Sequence, residues 1–224
     1  MLVMLSGKQG SGKTTVAEEL CSQWMRLGIP TLRYKFAQPL YEMHDMVYVT
    51  AKDYGIEPPA GGKDKDLLQV LGTEWGRNKR GKNLWVRCAQ RKIEKMTEVM
   101  QETKLFHVVL IDDLRFRNEF DDMGEAIKIR FECHRDVRRG RTPCWREEED
   151  HPSEVDLDYY AAHGKFDLTV ATDDNNAVAV VEQVSTFCRT KFPGDFGTKK
   201  QASTSKFGTD WGFPHPGPTV RCPR

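Results

Sequence analysis

Apolar residues in this 224-residue chain come in two spacings that alternate along its length. Short stretches rich in apolar residues recur at Leu2-Val3-Met4-Leu5, Thr31 to Phe36, Phe106 to Ile111, Ala126 to Phe131 and Phe166 to Thr172, and each reads as a strand. Phe106 to Ile111 is nearly unbroken and predicts a strand buried on both faces of a parallel sheet. Between them lie stretches with helical spacing: Lys13 to Leu27, Pro39 to about Tyr54, a segment from Asp64, Leu84 to about Thr103, Asn118 to Met123 and Asn175 to about Arg189. In the segment from Asp64, Leu67, Leu68 and Leu71 are expected in the core. Gly28-Ile29-Pro30 should stop the first helix, and the Gly- and Pro-rich stretch 55–62 reads as a surface loop. Strand and helix in alternation imply an α/β three-layer αβα sandwich. It has a five-stranded parallel sheet and binds ligands at the carboxyl ends of its strands.

Gly7-Lys8-Gln9-Gly10-Ser11-Gly12-Lys13-Thr14 follows the first apolar run and fits G-x-x-x-x-G-K-[ST]. A strand before and a helix after give this P-loop motif its mechanism. Gly7, Gly10 and Gly12 let the backbone curl with its N–H groups turned inward, and Ser11 and Thr15 complete the cradle. Those N–H groups and the following helix N-terminus hold phosphate oxygens. Lys13 reaches the β- and γ-phosphates, and the Thr14 hydroxyl is a ligand for Mg²⁺. The expected donor is ATP.

Four other clusters bear chemistry. Asp112-Asp113-Leu114-Arg115-Phe116-Arg117-Asn118-Glu119 lies at the carboxyl end of the third run, where carboxylate and guanidinium can share one strand tip. Leu71-Gly72-Thr73-Glu74-Trp75-Gly76-Arg77 offers a stacking face and a phosphate fork, though an ordinary helix end reads equally well. Arg135, Arg138 and Arg139 stand at i, i+3, i+4 after the fourth run, as a lid of arginines would. His151-Pro152-Ser153-Glu154 has too few ligands for a metal site, leaving a helix cap or a substrate contact.

Bulk properties narrow the classes. With 34 basic and 33 acidic residues the net charge is +1, so a general affinity for nucleic acid is not indicated. Six cysteines without a C-x-x-C pair read as free thiols. The chain opens on a strand rather than a leader, and no apolar stretch approaches ~18 residues. A cytoplasmic protein without a membrane partner is expected. After about residue 191 the composition turns to Gly, Pro, Ser, Thr and Lys, with Phe-Gly-Thr at 196–198 and 207–209. This tail either docks through its aromatics or stays extended.

Taken in order, the phosphate loop, Phe36-Ala37-Gln38-Pro39-Leu40, the L-G-T-E-W-G-R segment, D-L-R-F-R-N-E from Asp113, the arginine segment and H-P-S-E resemble a family. It is the bacteriophage-type deoxynucleoside monophosphate kinases, within the adenylate-kinase-like P-loop kinases. The resemblance spans about residues 1–190. It implies a core with an acceptor-binding helical region at about 36–104 and a lid at about 134–152. The implied reaction moves the γ-phosphate of ATP to a deoxynucleoside 5′-monophosphate, for viral DNA precursor supply. Phe36, Leu40, Trp75, Trp85, Arg77, Arg115, His151, Ser153 and Glu154 would bind the acceptor. Asp113, Lys13, Arg135 and Arg139 would act in transfer, Arg138 would touch the donor, and Asp112 would join Thr14 at Mg²⁺. A homodimer is compatible with this reading.

Two rival functions remain open from sequence. One is a P-loop kinase with another acceptor, such as a modified nucleotide or a nucleic-acid base or end. The other is a nucleotide-driven switch or motor, against which stand the lack of an N-K-x-D signature and of a glutamate after Asp112-Asp113.

Overall fold

The computed structural model describes residues 1–101, 107–142, 145, 152–174 and 176–193. Five parallel strands form one sheet: β1 (Leu2–Gly7), β2 (Thr31–Tyr34), β3 (Val108–Leu114), β4 (Ile127–Glu132) and β5 (Leu168–Ala171), in the order β2-β3-β1-β4-β5. The strand before the phosphate loop is therefore central. It pairs directly with the strand that carries Asp112 and Asp113.

Alternation along these strands builds two cores. Val3 and Leu5 of β1, Val108 and Leu110 of β3, and Ile129 and Phe131 of β4 face α1 (Lys13–Arg26). The same layer contains the helix that ends the described chain. Met4, Val109 and Ile111 face the opposite layer with Phe36, Val86, Phe120 and Leu157. This two-sided burial is why β1 and most of β3 read as nearly unbroken apolar runs. Trp24 of α1 is fully buried, a burial that contributes on the order of 2–3 kcal/mol. Its indole N–H donates to Ser185 at 3.0 Å, across to that last helix. Gly28, at φ 77°, closes α1 as its sequence predicts, with Ile29 N–H on Trp24 O at 2.9 Å.

Between β2 and β3 the chain makes the helical excursion expected at 36–104: α2 (Gln38–Ala51), a 3₁₀ turn (Lys52–Tyr54), α3 (Lys65–Gln69), a π-helical segment (Val70–Arg80) and α4 (Leu84–Gln101). Asp64 caps α3 by accepting from Leu67 N–H at 2.9 Å. His44 Nε2 accepts from Asp64 N–H at 3.0 Å and Tyr48 donates to the Asp64 carboxylate at 2.7 Å, so α2 and α3 meet at one polar joint.

Here the structure corrects two expectations. Leu67, Leu68 and Leu71 are only half-buried and belong to neither core, because this stretch lies over a cleft rather than on the sheet. The winding is also wider than an α-helix. Gly72 and Gly76 are buried against Trp85, whose indole N–H donates to Gly72 O at 3.0 Å. A Cβ on Gly76 would lie 2.5 Å from Trp85 Cζ2 and 2.7 Å from Leu71 O. Gly76→Ala is therefore expected to cost about 1–3 kcal/mol, seen as a lower thermal midpoint. An unchanged midpoint would mean that the π segment yields freely.

The remaining helices are α5 (Arg117–Asp122), α6 (Arg135–Arg141), α7 (Pro152–Val155), α8 (Asp158–Ala162) and α9 (Ala177–Lys191), the last being the partner of Trp24. Cys21, Cys88, Cys133 and Cys188 are free thiols. No helix among the described residues is long and apolar enough to cross a membrane. The tail from 194 on and part of the expected lid, including His151, lie outside the described residues.

Candidate active site

The carboxyl ends of β1 and β3 open into one cleft of about 800 Å³. The phosphate loop forms one side. Gly10, at φ 76°, brings its backbone so close to α6 that a Cβ would stand 2.7 Å from Arg138 O. Thr172 Oγ1 donates to Ser11 O at 3.0 Å from the end of β5, and Lys8 pairs with Asp158 at 2.9 Å. The loop is thus held from three directions before any ligand arrives.

Lys13 is buried at the start of α1, with its ammonium on Gly7 O, on Lys8 O at 2.9 Å and on Ser11 Oγ at 3.3 Å. Burial pulls its pKa from 10.5 to about 7, and the Arg115 charge adds to that pull. A bound triphosphate would return it toward the ordinary lysine value. Since the free pKa is then the lower one, nucleotide binding near pH 8 should take up a proton. The uptake should vanish below about pH 6, where Lys13 is already charged. Titration calorimetry in buffers of different ionisation enthalpy measures this, and pH-independent proton counts would contradict it.

Asp112 lies beneath the loop, 3 % exposed. Its Oδ2 accepts from Arg33 Nε at 3.1 Å and pairs with Arg33 Nη2 at 2.8 Å. Its Oδ1 is buried and accepts no hydrogen bond among the described residues. Thr14 and Asp112 both line the cleft. A hydroxyl and an orphaned carboxylate oxygen suit a hard divalent cation that keeps most of its water, so these residues fit Mg²⁺.

Across the cleft stand Phe36, Leu40, Tyr41, Leu68, Trp85 and Phe116, with Arg77 and Arg115. Arg77 lies over the Phe116 ring at 3.9 Å and reaches Glu119 Oε1 at 3.3 Å. Arg115 pairs with Glu154 and donates to Ser153 Oγ at 3.4 Å. Asp113 lines the cleft as well. Its two oxygens accept from Phe36 N–H at 2.8 Å and Ala37 N–H at 3.0 Å, tying the root of α2 to the tip of β3. This is why β2 ends at Tyr34, short of the predicted Phe36. Burial raises Asp113 to about 6, against those two N–H groups.

Trp75 and the three expected α6 arginines lie elsewhere. Trp75 does not line the cleft: the wide π turn sets it beside Trp85, ring centres 6.4 Å apart, with Arg80 over it at 5.3 Å. Arg135 and Arg139 are exposed on α6 and do not line the cleft, while Arg138 is buried against Cys133 O and Gln9 O. The helical spacing of these arginines is real, but of the three it is Arg138 that packs on the phosphate loop, while Arg135 and Arg139 face outward.

Arg141, one turn beyond Arg138, is the α6 arginine that reaches the cleft, donating to Thr172 O and to Cys133 Sγ at 3.3 Å. Glu119 also lines the cleft without an assigned role in the sequence. It accepts from Arg115 N–H at 2.9 Å and Phe116 N–H at 3.1 Å, and burial raises it to about 8. Its place four residues after Arg115, in the first turn of a helix, is the signal that marks it as a capping acceptor. Thr172, Asn176, Ala177 and Val180 also line the cleft.

A parallel α/β sheet with a phosphate loop after its central strand, and a carboxylate on the adjoining strand, defines a P-loop NTPase. The family model "ATPase family associated with various cellular activities (AAA)" matches residues 3–123, more than half of the chain, and the chain belongs to that family. No curated relative matches it. Similar solved structures include shikimate kinase from Aquifex aeolicus, at TM-score 0.41 and 16% identity, covering 87% of this chain and 99% of that one. Another is shikimate kinase from Acinetobacter baumannii in complex with shikimate, at 0.42 and 13%, covering 85% and 94%. A third is an uncharacterized protein from Eubacterium ventriosum, at 0.33 and 11%, covering 84% and 97%.

Proposed function

We propose that the protein is a kinase that transfers the γ-phosphate of ATP to a deoxynucleoside 5′-monophosphate, giving the diphosphate and ADP. The observation that carries this reading is the second, cationic and aromatic end of the cleft. Arg77 and Arg115 face the phosphate loop across one cavity floored by Phe36, Leu40, Tyr41, Trp85 and Phe116. A site that only hydrolysed a triphosphate would have no use for it. The residue after Asp112, where a water-activating carboxylate would help hydrolysis, is Asp113, and both its oxygens are taken by backbone N–H groups.

In this reading the phosphate loop and Lys13 hold the donor and neutralise charge on the moving group. Arg115 and Arg77 hold the acceptor phosphate, and the aromatic floor takes its base and sugar. An acceptor phosphate oxygen is already a nucleophile, so alignment and charge compensation are what the chain must supply. Mg²⁺ at Thr14, and through water at Asp112, would add charge neutralisation and orientation. Arg141 takes the donor-side place expected of the other α6 arginines.

The test is incubation with ATP and Mg²⁺ against a panel of deoxynucleoside monophosphates, ribonucleotides and duplex DNA, reading the product that carries the label. A deoxynucleoside diphosphate supports the proposal. Label found only on DNA would move the acceptor to nucleic acid. Label found only as free phosphate would favour the ATPase activity that the family match brings to mind.

A further inference from the structure

Glu154 makes contacts that a phosphate would make. Its Oε2 accepts from Gln9 N–H, inside the phosphate loop, at 2.7 Å, and its Oε1 pairs with the Arg115 guanidinium. Its side chain is 12% exposed. Ser153 Oγ adds a third polar group beside Arg115 at 3.4 Å. Gln9 and Arg115 belong to opposite sides of the cleft, one on the donor loop and the other after β3, and Glu154 arrives from α7, an element outside both. A backbone N–H and a guanidinium that converge on two carboxylate oxygens form an anion site, here filled by the chain itself. The anion they fit is a phosphate group, with Arg115 as its fork.

The surrounding charges give this contact a purpose. The charges of Arg115 and Arg130 both act on Lys13, and the charge of Glu154 offsets them there. Without an acceptor, a bare Arg115 would face the donor phosphates and promote transfer to water. With an acceptor in place, a carboxylate beside its phosphate would be repulsive. We infer that Glu154 is an internal competitor for the acceptor-phosphate subsite, holding Arg115 and the Gln9 N–H until an incoming phosphate displaces it. Glu154 is thus a positioning residue acting through Arg115. The inference rests on the acceptor reading above for the identity of the phosphate, but not for the existence of the anion site.

The test fills the phosphate loop with a non-hydrolysable ATP analogue and Mg²⁺, then titrates inorganic phosphate into full-length protein, Glu154→Gln, Arg115→Ala and the double variant. Glu154→Gln should bind phosphate roughly tenfold more tightly, since one charge-assisted contact no longer competes. The gain should disappear in the Arg115→Ala background. Phosphate release from ATP without acceptor should also rise several-fold in Glu154→Gln, while the KM of any accepted monophosphate falls. Unchanged or weaker phosphate binding in Glu154→Gln, or a gain that survives Arg115→Ala, overturns the inference. If no deoxynucleotide is turned over while Glu154→Gln still tightens phosphate binding, the anion site stands and the acceptor reading falls. If deoxynucleotides are turned over but phosphate affinity does not respond, the reverse holds.

Discussion

Replacing Lys13 with alanine should lower phosphoryl transfer by about three orders of magnitude while leaving the protein folded. The ammonium rests on Gly7 O and Lys8 O inside its own loop, where a triphosphate would replace those weak acceptors with charged ones. Its removal takes away stabilisation that grows as charge moves to the bridging oxygen. The effect on stability has the opposite sign. In the unfolded chain Lys13 keeps its proton up to about pH 10.5, whereas in the fold it loses it near 7. Between those values the unfolded state holds the extra proton, so native stability rises with pH, and the burial penalty is fully present below about 7. Lys13→Ala should remove that slope and raise the thermal midpoint at neutral pH. A folded Lys13→Ala protein with normal turnover would sink the donor assignment of the loop. A lowered midpoint at pH 7 would sink the account of its burial.

Asp112→Asn should be the second most damaging change, lowering turnover by roughly 10²–10³-fold and raising the Mg²⁺ needed for half-maximal rate. The substitution keeps the volume and removes the charge. The carboxylate has two separable tasks. Oδ2 holds Arg33, and through it the edge strand β2, while Oδ1 has no protein partner among the described residues. Loss of the first task should cost about 1–3 kcal/mol, less than for a fully buried pair because Arg33 is a quarter exposed. Loss of the second should appear only as a changed metal dependence. Unchanged Mg²⁺ dependence, with activity falling in step with the folded fraction, would leave Asp112 as a clamp for Arg33 alone.

The legible parts of this chain were those written in local spacing. The five stretches rich in apolar residues became the five strands, the central β1 and β3 being the most apolar because both their faces are covered, and G-x-x-x-x-G-K-T came with its strand and helix. Arg77, Arg115, Ser153 and Glu154 also converge, although 77 and 154 are far apart in sequence. What spacing could not tell was which face of a short helix meets which neighbour. Arg135, Arg138 and Arg139 share helical spacing, but Gly10 lets α6 approach so closely that Arg138 is buried against the loop, Arg135 and Arg139 stay exposed, and Arg141 reaches the cleft. Trp75 was displaced by winding: nothing in L-G-T-E-W-G-R announces a π-helix, which arises once Trp85 seats on Gly72 and Gly76. Asp113 lines the cleft, as its place at a strand tip implies, but its bonds to Phe36 and Ala37 are long-range and have no sequence signature.

Those Asp113 bonds have a counterpart further along the same excursion, just before α4. The chain leaves the sheet near Phe36 under the grip of the β3 tip. It is held again at Lys82 and Asn83, where Asn118 of α5 donates to Lys82 O at 3.1 Å and Asn83 Oδ1 at 3.2 Å. Everything between is a loop of structure pinned at both roots to the framework that carries the phosphate loop. Such an insert can drift in sequence, or be exchanged for a longer or shorter one, without disturbing how the triphosphate is held. Diversification of what this scaffold recognises would then be expected to concentrate between residues 38 and 81, with the two roots as its natural graft points.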